Sequence, residues 1–278
     1  MSGGLQQNAY ETEMGSPLSL AVSQRDRDTM VMVRQALAQK QVMLAYQPVV
    51  SSMRPDTVAF YEGLIRVVDT SGRVIPAKDF METVETHEMG RILDCHSIEL
   101  GLKTLAQVPG LRLSINMSAR SIGYPKWREA LKRGLARQPD IAERLILEIT
   151  ESSAMIMPDL VNVFMNEMQS KGIAFALDDF GAGYTAFRYL KEFYFDIIKI
   201  DGQFIRGVAS NPDNQVLTNA LVSIAQHFEM FTVAEFVENR EDAEFLIDAG
   251  LDCMQGHYFG VPTIRPSWLP QVNAQMAG

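Results

Sequence analysis

The chain holds 278 residues, 47% of them apolar, enough to build one sizeable core. Its 34 Asp and Glu against 25 Lys and Arg leave a formal charge of −9, which excludes long-range attraction to nucleic acid or anionic lipid and means that any bound phosphate needs local neutralisation. Two cysteines, Cys95 and Cys253, are too few for a disulfide scaffold and lack zinc-finger spacing, so a reducing compartment is expected.

In chain order, residues 1–27 mix Gly, Ser, Gln and charges without the basic start and apolar run of a signal peptide, and are expected to form a flexible leader. A helix is predicted at 28–40. Strand-like runs at 43–50 and 59–68 follow, separated by Met53, Arg54, Pro55 and Asp56, which suggests a hairpin and hence one antiparallel strand. Helices are predicted at 77–88, 90–107, 126–137, 159–171, 214–227 and 240–249, with strands at 112–116, 145–149, 174–178, 197–200, 231–234 and 253–255. Gly110, Gly172 and Gly250 fall near helix ends, where a residue without Cβ can turn left-handed. Eight strands, most followed by helices, predict an α/β fold, a modified TIM-like (β/α)8 barrel over 28–270 with a tail at 271–278. No apolar run approaches the roughly 20 residues that span a bilayer, so a cytoplasmic protein without membrane insertion is expected.

The placement of polar residues is the informative feature. At strand after strand the last residue, or one beside it, is a carboxylate, an amide or a lysine: Glu62, Asn116, Glu148, Asp178, Asp179, Lys199, Asp201, Glu235 and Gln255. One such acid is an ordinary turn residue or helix cap, and Asp201 before Gly202 could simply start a helix. Their coincidence on many strands is different, because the strand ends of a barrel converge on one rim. Carboxylates crowded there raise one another's pKa unless a cation holds them. Oxygen ligands without His or Cys favour Mg²⁺ or Mn²⁺. Glu62, Asn116, Glu148 and Asp178 form one candidate set and Asp178 with Asp179 a second, to which Glu235 could add. Two ions so bridged could clamp the attacking and leaving oxygens of a phosphoryl displacement, with Lys199 as a donor to water or phosphate.

These residues lie in a series of short motifs. The motifs are Tyr46-Gln47-Pro48, Glu62-Gly63-Leu64-Ile65-Arg66, Asn116-Met117-Ser118, Leu147-Glu148-Ile149-Thr150-Glu151 and Leu177-Asp178-Asp179-Phe180-Gly181-Ala182-Gly183-Tyr184. Ile198-Lys199-Ile200-Asp201, Ala234-Glu235-Phe236-Val237-Glu238 and Gln255-Gly256-His257-Tyr258-Phe259 complete the series. In order and spacing the series resembles that of the EAL-domain cyclic di-GMP phosphodiesterases. The resemblance implies hydrolysis of cyclic di-GMP to the linear dinucleotide 5'-pGpG at a two-ion Mg²⁺ or Mn²⁺ site. It implies metal ligands at Glu62, Asn116, Glu148, Asp178 and Asp179, and catalytic roles for Glu235 as general base or second-ion ligand and for Lys199 at the attacking water. Substrate contacts are implied at Gln47, Leu64, Arg66, Asp201 and Gln255, with Arg66 on a phosphate. Glu151 is implied to anchor the loop after Asp179, a loop linked in this family to dimerisation. A homodimer, and control by a protein partner, are therefore expected; a DNA or RNA polymer is not.

Two departures stand out. Gly63 replaces the family's Ala and, small for small, is expected to matter little. Phe236 replaces a Gly, and its benzyl group could narrow the site or, by strand alternation, point away from Glu235 and pack behind the rim. A catalytically silent cyclic di-GMP receptor is the alternative that Phe236 keeps open. Of the four histidines only His257, beside Gln255, is expected near substrate.

Overall fold

The computed structural model describes residues 17–182 and 190–269. Among these, nine strands form one sheet: β1 (Val42–Ser51), β2 (Arg54–Val68), β3 (Val74–Pro76), β4 (Leu113–Asn116), β5 (Leu145–Thr150), β6 (Ala174–Phe180), β7 (Ile197–Ile200), β8 (Phe231–Ala234) and β9 (Cys253–Gln255). The order β1-β9-β8-β7-β6-β5-β4-β2 closes on itself through β1–β2, and β3 hangs outside the ring on β2. β1 runs antiparallel to both its neighbours, while every other pair around the ring is parallel. This is the anticipated TIM-like barrel with one inverted strand. Helices Glu88–Gln107, Pro125–Arg137, Pro158–Gln169, Pro212–His227 and Arg240–Asp248 alternate with the strands. Three of them start on Pro, whose fixed φ and missing N–H suit the first turn.

Period-two alternation positions the site. Val49, Phe60, Ile146, Ala176, Ile197 and Val233 pack into a small cluster of their own, separate from the main core between sheet and helices. Two residues further along the parallel strands come Glu62, Glu148, Asp178, Lys199 and Glu235, and two residues back along inverted β1 comes Gln47. Successive side chains alternate faces, so an apolar layer inside the barrel carries a polar layer directly above it.

Several boundaries differ from expectation. The first helix is Pro17–Ala38 and begins well ahead of residue 28. Residues 21–28 are exposed, so this extension rests on local helix propensity and leaves no periodic apolar signature; the helix docks through Val33 and Ala36. The hairpin is tighter than expected, turning at Ser52 and Met53, because β2 already starts at Arg54. The single helix predicted at 77–88 is a 3-10 turn, Ala77–Asp79, and a helix, Met81–Val84. Buried Phe80 and Val84 mimic a helical face, but Phe80 adopts φ −141° and breaks it. Residues 1–16, most of the predicted leader, and the tail at 271–278 lie outside the described residues, as do Gly183 and Tyr184. Among the described residues no helix is long and apolar enough to cross a membrane.

Candidate active site

Lys199, on β7, is fully buried. Its Nζ lies 2.8 Å from Glu235 Oε1, 2.9 Å from Asp178 Oδ1, 3.1 Å from Glu148 Oε2 and 3.4 Å from Glu62 Oε2. These acids come from β2, β5, β6 and the residue after β8, so the barrel itself converges them. Amides complete the layer. Asn116 Nδ2 donates to Glu62 Oε1 at 2.8 Å, Gln255 Nε2 donates to Glu62 Oε2 at 2.6 Å and to Gln47 Oε1 at 3.1 Å, and Gln47 Nε2 donates to the Gly260 carbonyl at 3.1 Å.

Four buried carboxylates around one ammonium leave an excess of negative charge, and the ionisation equilibria register it. Burial pushes Glu62 up, but Lys199, Gln255 and Asn116 outweigh that and hold it below its ordinary value. Burial, reinforced by the Glu62 charge, drives Glu148 well above the carboxylate range despite Lys199. Burial raises Glu235 to about 8 against the pull of Lys199, with Asp178 and Glu62 adding to the rise. Asp179 rises to about 6, through burial and then the charges of Asp178 and Asp201. Lys199 is disfavoured as a cation by burial, yet its carboxylates lift it well above the usual lysine value. In the protein alone, therefore, protons on Glu148 and Glu235 absorb the excess charge.

The same side chains suit a divalent cation. Asp178, Asp179 and Glu235 offer oxygens that lie within 4.8 Å of one another, and the buried Glu148 Oε1 has no hydrogen-bond partner. An all-oxygen donor set with unused lone pairs fits Mg²⁺ or Mn²⁺. Adjacent Asp178 and Asp179 should face opposite ways on a regular strand. They share one cluster because Asp179 takes φ 55° and the β6–β7 register slips between Leu177 and Phe180. Asp is among the residue types that tolerate this left-handed backbone.

The remaining candidates sit around this centre. Leu64 and Arg66 share the Glu62 face of β2, and both are half-buried; Arg66 Nη1 donates to the Ile65 carbonyl at 2.9 Å. Asp201 caps helix Gly202–Ile205, its Oδ1 accepting from Gln203 N at 2.8 Å, so the helix-start reading of this residue holds. Buried Glu151 accepts from Gly181 N at 3.3 Å through Oε2, gripping the start of the segment after Asp179. His257 is exposed.

At Gly63 the structure differs from expectation, and at Phe236 it removes one of the two readings. A Cβ on Gly63 would come within 2.7 Å of Ile115 Cδ1, so this position is not neutral to Ala. Phe236 does not continue the strand alternation and pack behind the rim: it has φ 55°, is 44% exposed, and its ring faces the Arg206 guanidinium at 4.1 Å. Arg206 carries no motif or periodic signal in the sequence and was not anticipated.

Comparison with known proteins shows what the chain is similar to. Residues 30–262 match the EAL domain. The chain is 30% identical over 234 residues to cyclic di-GMP phosphodiesterase PdeF of Escherichia coli K12, covering 83% of this chain and 31% of that protein. The chain thus spans about a third of PdeF, and less than half of the similar proteins PdeB and PdeN. Among solved structures it resembles the PaMucR phosphodiesterase, determined as a c-di-GMP complex, with TM-score 0.74 and 28% identity over 85% of this chain and 97% of that one. It also resembles a manganese and cyclic di-GMP complex of BlrP1 from Klebsiella pneumoniae, with TM-score 0.70 and 25% identity over 80% of this chain and 56% of that one.

Proposed function

The chain belongs to the EAL domain family, and from that premise we propose that its barrel hydrolyses cyclic di-GMP to linear 5'-pGpG with two divalent ions, Mg²⁺ or Mn²⁺. The observation that carries this reading is the buried polar layer itself, in which four carboxylates surround one lysine and a fifth, Asp179, joins Asp178 and Glu235. Glu62, Asn116, Glu148 and Asp178 would hold one ion, and Asp178, Asp179 and Glu235 the other. Bound there, the ions would neutralise the phosphodiester and acidify the attacking water.

The chain's own residues then have distinct tasks. Glu235, freed of its proton, accepts one from the water whose oxygen forms the new bond to phosphorus as the bond from phosphorus to the 3' oxygen breaks; the 3' oxygen takes its proton from solvent water, and Glu235 returns its own to solvent. Lys199 holds its acids in register and turns an N–H toward the water or a phosphate oxygen. Gln255 and Gln47 brace Glu62 through their amide chain. Arg66, on the Glu62 face of β2, meets a substrate phosphate, with Leu64 beside it and Asp201 across the mouth. A homodimer controlled through the segment that Glu151 grips, acting on a cytoplasmic messenger, completes the reading.

The test is hydrolysis of cyclic di-GMP with Mg²⁺, with Mn²⁺ and with chelator, in the parent and in Glu235→Gln. The expected result is metal-dependent 5'-pGpG in the parent and a loss of at least about a hundredfold in the variant, consistent with removal of a general base, with substrate affinity retained. Tight binding without product in the parent points instead to a receptor, and equal loss of binding and turnover in Glu235→Gln contradicts its role as base.

A further inference from the structure

The chain leaves the barrel rim after β8 through Glu235 and Phe236, and the second of these residues is costly for folding in two ways. Its φ of 55° lies in the left-handed region that residues with a bulky side chain rarely adopt. Its ring is 44% exposed, so burial returns little of that cost. Strain retained at a site mouth points to use there rather than to packing.

The ring is nevertheless held firmly. The Arg206 guanidinium carbon sits 4.1 Å from its centroid. Beside it, Gly202 is bare where any Cβ would overlap Phe236 Cβ, Cγ and Cδ2. Gly202 follows Asp201 directly, and Gln203 Nε2 donates to the Gly181 carbonyl at 3.1 Å, tying this short helix to the segment after Asp179. The braced ring therefore packs against the residue that follows Asp201, next in the chain to Glu235 and at the rim where β7 and β8 end. The polar layer below it offers carboxylates and amides suited to phosphate chemistry, but no flat apolar face.

We propose that Phe236, braced by Arg206 and Gly202, is a stacking platform for a purine base of the substrate and thus sets its affinity. This rests on the cyclic di-GMP reading. A nucleobase presents a π-face that stacks on an aromatic ring, and such contacts strengthen binding by factors of several to about a hundred. The planar guanidinium of Arg206 fixes the ring's tilt before substrate arrives, so little order is lost on binding.

The test measures equilibrium binding of cyclic di-GMP, with Mg²⁺ present, in a Glu235→Gln background that keeps substrate intact, and compares Phe236→Gly, Phe236→Leu and Phe236→Trp. Phe236→Gly and Phe236→Leu are expected to weaken binding by about tenfold, and Phe236→Trp to retain it. With Glu235 in place, the loss should appear in KM, with kcat changed by about twofold or less. The melting temperature of Phe236→Gly should equal or exceed that of its parent, because glycine relieves the left-handed backbone; weaker binding then cannot be ascribed to unfolding. Unchanged or tighter binding in Phe236→Gly overturns the platform while the function stands, and a parent that binds no cyclic di-GMP overturns both.

Discussion

Gly63 and Ile115 share one small space. The Ile115 Cδ1 methyl lies where a Cβ on Gly63 or on Gly101 would sit, 2.7 Å away in each case. A methyl group added at Gly63 must displace that terminal methyl, and the carbonyl of Ser114, at 3.2 Å, limits the room on the other side. Gly63→Ala is therefore expected to destabilise the protein by about 1–2 kcal/mol, as overpacking of a close-packed core does. Ile115→Val, which removes Cδ1, should recover most of that loss when combined with it, even though alone it costs about 1 kcal/mol for the lost methyl. Urea unfolding of the two single variants and the double variant measures the coupling. Strictly additive losses would mean that the contact is not what excludes alanine. From the sequence this position looked interchangeable, since Gly and Ala are both small; what decided it is a neighbour on β4 that no local pattern reveals. The backbone at Asp179 and at Phe236 was equally illegible. Both take φ 55° where alternation predicts extended chain, because the barrel rim is where register breaks.

Buried Asp94 ties a long helix to a site strand. On helix Glu88–Gln107, its Oδ2 accepts from Ser118 N at 3.0 Å and Ser121 Oγ at 2.5 Å, clamping the turn directly after Asn116. Burial raises its pKa to about 6, against 3.8 for the ordinary group, and the two donors only moderate the rise. The folded protein thus binds this proton more tightly than the unfolded chain. The stability contributed is full below pH about 4 and is lost as pH rises through about 6, on the order of 3 kcal/mol. Asp94→Asn retains an acceptor but cannot titrate, so the difference in unfolding free energy between parent and variant should change across this window and level off above it. A difference independent of pH would show that Asp94 titrates alike in the folded and unfolded states, so that burial does not shift it. At this scale the sequence was largely readable. Ile197–Ile200, Phe231–Ala234 and Cys253–Gln255 coincide with their predicted ranges because short apolar runs stopped by polar residues have one plausible register in a barrel. β3 was not foreseen, because three residues at a sheet edge carry no periodicity. The predicted helix at 77–88 failed for the opposite reason, since its apolar spacing was right and a tertiary turn overrode it.

Across the whole molecule, the net charge of −9 and the acidic barrel mouth pose one electrostatic problem, and the polar layer handles it with protons when no cation is present. The nine polar residues at strand ends were legible because a barrel gathers them wherever they occur in the chain. Their pairing was not: Lys199 stands among Glu62, Glu148, Asp178 and Glu235, whereas the sequence suggested two metal sets with the lysine as a donor to water or phosphate. This arrangement predicts linked proton release. At pH 7 Glu235, raised to about 8, is mostly protonated, and a carboxylate must lose its proton to hold a cation. Binding of Mg²⁺ or Mn²⁺ should therefore expel protons, on the order of one per protein, and tighten as pH rises toward 8. Calorimetric titration of Mn²⁺ in buffers of differing ionisation enthalpy reads the number directly from the slope of apparent enthalpy. In Glu235→Gln that slope should fall, leaving what Glu148 contributes. A parent whose binding enthalpy is independent of buffer would mean that the acids around Lys199 are already ionised, and that the lysine alone balances them.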